Sequence, residues 1–157
     1  DSLNKNMRKD ATIGRKKYLV LLVNFSNLTM DTNNAARFHH QIGDSAYTSN
    51  GATGSVRDYY YDNSMGRLTA EFDVYGPYTL PHTQAYYGAR TSTANDTLPA
   101  QMVYDAAVAA DSDVDFSQYD NDGDGYVDMV YVIYAGRGEH NGGGDSAIWA
   151  HSSARFL

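Results

Sequence analysis

The chain has 157 residues, 42% of them hydrophobic and 20% charged, which is one soluble domain's worth of buried core. Its net charge of -7 at neutral pH disfavours a nucleic-acid partner, and the absence of cysteine excludes a disulfide framework. No apolar run approaches the roughly 18 residues of a membrane-spanning helix.

The segment 1–17 is polar and aperiodic, and reads as a loosely held arm. It lacks the apolar stretch of a signal peptide, so a secreted form is expected to have lost its leader before this chain begins. Tyr18 to Phe25 (YLVLLVNF) is a nearly continuous apolar run, the pattern of a strand buried on both faces. From Ser26 to Gly54, Asn, Thr, Gly and Ser predict mostly loop, with a short helix over Ala35 to Ile42. Ser55 to Gly66 (SVRDYYYDNSMG) predicts a helix, capped by Ser55 with Asp58 three residues on and ended by Gly66.

Arg67 to Tyr75 alternates Leu68, Ala70, Phe72 and Val74 with polar residues, a half-exposed strand, and Gly76 to Pro81 is expected to turn. A second helix is predicted over Thr97 to Ala110, with Thr97 as cap, Pro99 in the first turn, and Leu98, Met102, Ala106 and Ala109 along one side. A strand over Val127 to Ala135 follows, then a mobile glycine-rich bend at Gly136 to Gly144 and a short strand around Ala147 to His151. The order β-α-β-α-β-β with parallel-type apolar strands indicates an α/β sheet.

Charge is unevenly placed. No Lys or Arg lies between Arg90 and Arg137, an interval that holds nine aspartates from Asp96 to Asp128. Within it, YDNDGDGYVD puts Asp120, Asp122, Asp124 and Asp128 at positions 1, 3, 5 and 9 of a calcium loop, with Gly125 at the sharp turn of position 6 and the Tyr126 carbonyl at position 7. Alternating carboxylates on a tight turn converge, and calcium takes six to eight such hard oxygens. Asp, Asn and Gly also favour plain turns. Three alternating aspartates with the glycine exceed what a turn needs. Position 12 is Tyr131 where an EF-hand has a bidentate Glu, and a strand follows where its second helix would stand. The loop is therefore expected to stabilise and not to signal. Asp111, Asp113 and Asp115 also alternate, but without a glycine, and read as a solvated turn.

The ordered set YLVLLVNFSN, SVRDYYYDNSMGRLTAEFDVYGPYTLP, YYG and VDFSQYDNDGDGYVDMVYVIYAGRGEHNGGGDSAIWAHS resembles the immune inhibitor A family of secreted bacterial zinc metalloproteases, from about Tyr18 to Ser152. The resemblance implies a twisted mixed sheet with backing helices, the zincin-like N-terminal subdomain of a catalytic domain incomplete at the C-terminus of residues 18–157. It also implies a secreted or cell-surface protein acting on peptides or proteins. In that family an H-E-x-x-H helix carries two zinc-ligating histidines and a Glu that activates water. None of His39, His40, His82, His140 or His151 belongs to such a motif, so no catalytic residue carries over and zinc is expected to be held outside this chain. A C-terminal fragment of the same protease is the expected partner, since an isolated piece would leave its apolar strands poorly covered.

By the same resemblance, Ala147, Ile148, Trp149 and Ala150 form an edge that would pair with extended substrate through main-chain hydrogen bonds. The alternative is an ordinary edge strand, with Trp149 packed on the sheet. His151 reads as a hydrogen-bonding residue and His39-His40 as a solvated helix face. Two functions are therefore expected in competition. One is the N-terminal portion of a calcium-stabilised zinc endopeptidase, inactive by itself; the other is a non-catalytic, calcium-dependent binding or surface module.

Overall fold

A computed structural model describes residues 13–91 and 96–152. In chain order it comprises β1 (Gly14–Asn24), α1 (Thr32–Gly43), α2 (Val56–Asn63), β2 (Leu68–Thr79), α3 (Gln84–Gly88), α4 (Pro99–Ala110) and β3 (Val130–Tyr134), with single 3-10 turns at Ser49–Gly51, Phe116–Tyr119 and Glu139–Asn141. The sheet order is β2-β1-β3. Gly14 N–H donates to the Arg67 carbonyl at 2.6 Å, and Leu80 N–H to that of Asn24 at 2.9 Å, so the beginnings and the ends of β1 and β2 are paired and the two run parallel. Ala135 N–H, just past β3, meets the Val23 carbonyl at 2.9 Å in the same sense.

The fold is thus mixed α/β, but its described strands form an open parallel sheet and not the mixed sheet expected. A short strand was also expected around Ala147 to His151. That segment forms no strand; several of its polar groups have other partners, described below.

The central strand follows from its composition. Leu19, Leu21, Leu22 and Val23 are fully buried, as a strand between two others with both faces covered must be. It begins four residues before the apolar run. Arg15 pairs with Glu71 at 2.8 Å and Lys17 with Asp73 at 3.1 Å, cross-strand charges that hydropathy alone does not register. The rest of the expected arm, 1–12, lies outside the described residues. β3 is only half buried and starts three residues later than expected.

Backbone contacts divide the described residues into two units, the first made from 13–20, 32–75 and 114–131, the second from 21–31, 76–91, 96–113 and 132–152. The first carries α1, α2 and an aromatic cluster: Phe72 lies 5.5 Å from Tyr18, 6.1 Å from Tyr60 and 6.0 Å from Tyr131, ring centre to ring centre. α2 has the expected cap. The Ser55 hydroxyl accepts from Asp58 N–H at 3.1 Å while the Asp58 carboxylate accepts from Ser55 N–H at 2.9 Å, a complete capping box. Its helical hydrogen bonding stops before the expected Gly66. That glycine instead takes φ +73° and donates to the Tyr61 carbonyl, closing the helix end.

The second unit is built on Phe25, whose ring lies 5.8 Å from Tyr87 and 5.9 Å from Tyr134. Tyr87 is wholly buried and donates to Asp105 at 2.7 Å, satisfying its hydroxyl; desolvation, then this bond, pushes its ionisation well above the ordinary tyrosine range. α4 begins at Pro99 with Leu98 as cap; Thr97, the expected cap, donates its hydroxyl to the Ala89 carbonyl instead. Its inner face is Met102, Ala106 and Ala110, one residue on from the stripe expected to end at Ala109. β2 runs through the expected turn at Gly76 as far as Thr79. A Cβ at Gly76 would fall 2.3 Å from the Leu22 carbonyl oxygen, so only glycine lets the strand pass.

Candidate functional site

The acidic loop is positioned from both ends. Upstream, Asp115 caps the 3-10 turn through Ser117 N–H at 3.2 Å, and Tyr119 is buried with its hydroxyl donating to Asp73 at 3.0 Å. Downstream, Asp128 N–H donates to the Tyr119 carbonyl at 3.1 Å. Between them, the Asn121 side chain acts like a strand residue. Its oxygen accepts from Lys17 N–H at 2.8 Å and its amide donates to the Lys17 carbonyl at 2.9 Å, pairing the loop to β1. Sequence reasoning treated Asn121 as a turn former only. No local signal marks it, because its partner is 104 residues away.

The loop's own carboxylates are tied to its backbone. Asp120 accepts from Gly123 N–H at 2.7 Å, Asp124 N–H at 3.1 Å and Gly125 N–H at 2.8 Å. Asp122 accepts from Asp124 N–H at 3.2 Å, and Asp124 from Tyr126 N–H at 2.9 Å. Gly123 and Gly125 hold φ of +77° and +90°, the left-handed turns that fold the loop inward. One carboxylate oxygen from each of Asp120, Asp122 and Asp124 then lies within 4.8 Å of the others. Asp128 stands apart from that trio and accepts from Asn121 N–H at 2.6 Å; Tyr126 is exposed.

The charges respond in opposite directions. The N–H groups of Gly125, then Gly123 and Asp124, hold Asp120 below the ordinary carboxylate range. Asp122 is pushed up, first by desolvation and then by the charges of Asp124, Asp128 and Asp120, against a lowering bond from Asp124 N–H. A pre-shaped trio of hard oxygen donors whose middle member resists ionising suits a divalent cation of the calcium type. It does not suit zinc, which favours sulfur and nitrogen ligands. The other alternating acids serve locally: Asp113 accepts from the Tyr78 hydroxyl at 3.0 Å and Asp115 is the cap already named.

The segment Ala147–Ala150 lies in the second unit. Ala147 and Ile148 are buried, while Trp149 is 47% exposed and not packed on a sheet as expected, its ring 6.1 Å from that of His140. The Ile148 carbonyl accepts from Glu139 N–H at 3.1 Å and from the Tyr134 hydroxyl at 2.9 Å. Trp149 N–H donates to both oxygens of Asp96, at 3.1 and 3.3 Å, and its carbonyl faces His151 Nδ1 at 2.8 Å. His151 is thus a hydrogen-bonding residue, and His40 pairs with Asp44 at 2.7 Å on an exposed helix face.

In the preceding bend, expected to be mobile, Gly138 and Gly143 are closely packed while Gly144 is open. A Cβ at Gly143 would lie 2.5 Å from the Arg137 carbonyl, one at Gly138 would lie 2.7 Å from the His140 ring, and one at Gly88 would lie 2.6 Å from the Ile148 side chain. Glu139 reaches across to pair with Arg90.

Residues 4–157 match the family described as the immune inhibitor A peptidase M6 catalytic domain. This chain belongs to that family. It is 36% identical over 118 residues to Immune inhibitor A of Bacillus thuringiensis subsp. alesti, covering 62% of this chain and 17% of that protein. It is 27% identical over 178 aligned positions to the pre-pro-metalloprotease PrtV of Vibrio cholerae serotype O1 strain M66-2, covering 88% of this chain and 19% of that one. The chain therefore spans less than a fifth of either relative's length. Membership makes it part of a metalloprotease family. No helix among the described residues is long and apolar enough to cross a membrane.

Proposed function

We propose that this chain is the calcium-stabilised N-terminal portion of a secreted zinc endopeptidase, with the zinc-binding H-E-x-x-H on a further segment or chain. The supporting observation is the family match over residues 4–157 in a sequence that holds no such motif. Zinc, when bound, would supply the activated water that attacks a peptide carbonyl. Everything else falls to scaffold groups. Asp120, Asp122 and Asp124 hold a calcium ion, with Tyr126 and Asp128 contributing at its rim. The loop so fixed sets the entry of β3, and Ala147–Ala150 is the edge presented to substrate.

The reading is tested by expressing this chain with and without the remainder of its gene and assaying casein hydrolysis. Activity is expected only in the combined protein, and to be abolished there by changing the motif's Glu. An encoding gene with no H-E-x-x-H beyond these residues would overturn the zinc assignment, and would favour the calcium-dependent binding module instead. For the calcium site, chelation that leaves the melting temperature unmoved would remove the ion from the account.

A further inference from the structure

An edge that receives an extended peptide needs unpaired main-chain donors and acceptors along it. Ala147–Ala150 offers few at its centre. Ile148 is fixed three ways: its side chain is buried against Gly88, and its carbonyl already has two donors, Glu139 N–H and the Tyr134 hydroxyl. That set anchors the segment. Trp149 N–H, by contrast, is held by Asp96 on the residue where the segment reaches solvent, as its carbonyl is by His151. A carboxylate at an exposed main-chain N–H occupies the place where a pairing strand would put its carbonyl oxygen.

We propose that Asp96 is an internal cap on the Trp149 N–H, which an extended peptide must displace in order to pair at Trp149. This rests on Ala147–Ala150 being the substrate edge. Asp96 then sets how tightly the edge accepts a peptide. Selectivity falls to the half-exposed Trp149 ring beside it, which favours peptides with an apolar side chain next to the displaced contact.

The test uses the full-length protein carrying this chain, with a capped hexapeptide of alternating valine and threonine as probe. Binding is measured by calorimetry and amide protection by hydrogen exchange. Asp96→Ala is expected to bind the probe about tenfold more tightly than wild type, Asp96→Asn to fall between them, and protection to appear at residues 149–151. Asp96→Asn keeps an acceptor for the N–H, and decides the matter if the alanine variant does not fold. Equal affinity in all forms, with protection at 149–151 in wild type, would overturn the cap and leave the edge standing. Weaker binding by Asp96→Ala would overturn the cap by making Asp96 a support. No protection at 147–151 in any form would overturn both.

Discussion

Two glycine-rich loops in this chain are built on opposite physical grounds. In the acidic loop, a Cβ on Gly123 or Gly125 would meet no atom within 4 Å, and glycine is needed only for the positive φ. In the bend at 136–144, Gly138 and Gly143 are needed because neighbouring atoms lie closer than a Cβ tolerates, and so is Gly88 at the α3 end, which packs on Ala147 and Ile148 just beyond the bend. One loop is shaped by backbone conformation and side-chain-to-backbone bonds and stays open to solvent. The other is tight at Gly138 and Gly143, although its Gly144 is as open as the acidic loop's pair. The open glycines answer to backbone strain, the tight ones to overpacking.

The contrast is sharpest in Gly88→Ala. Overpacking against Ile148 should cost about 3 kcal/mol, seen in chemical denaturation as a lower midpoint with an unchanged slope. Calcium should come next. If the acidic trio is its site, saturating the ion at 100 times its dissociation constant should stabilise by about 2.7 kcal/mol, a rise of roughly 5–10 °C in Tm. Asp120→Ala should erase that rise, while Gly88→Ala should keep it. Gly123→Ala should cost only about 1 kcal/mol, since strain without a clash is all it adds; a loss as large as that of Gly88→Ala would abolish the distinction between the loops.

The smallest effect concerns charge. Asp120, depressed in the fold, contributes stability above the ordinary carboxylate range and loses it as pH falls through its lowered value. Asp122, raised, works against folding once ionised. Without calcium, Asp122→Asn should therefore leave Tm level or slightly higher; with calcium it should lower Tm. The calcium-induced rise itself should vanish on acidification below about pH 4. A Tm that responds to Asp122→Asn in the same direction with and without calcium would refute the crowding argument.

What could be read from the sequence was what is local. The Ser55–Asp58 cap, the buried run at 19–23 and the spacing of the acidic trio all lie within a few residues of their causes. What escaped depends on distant partners. β2 passes through Gly76 because the backbone of Leu22 lies against it, Thr97 yields its cap to reach Ala89, and at 147–151, where a strand was expected, the main chain bonds to Asp96 and Tyr134 instead. The short helix α3, capped by Thr83, gave no periodicity to read. Glycine itself was ambiguous: the letters of 136–144 suggested slack throughout, where Gly138 and Gly143 are tightly packed.

The amide of Asn121 turns the acidic loop into a ruler. Because it grips Lys17 on both of that residue's main-chain groups, and Asp128 N–H returns to the Tyr119 carbonyl, the short step from Asp128 to Val130 sets where β3 enters alongside β1. A residue inserted within the exposed loop 122–126 can bulge outward, whereas one inserted between Asp128 and Val130 must release a tie or advance β3 by one place, which exchanges the two faces of the strand. The spacing after the loop's closing bond, and not only loop composition, is therefore written into the register of the sheet.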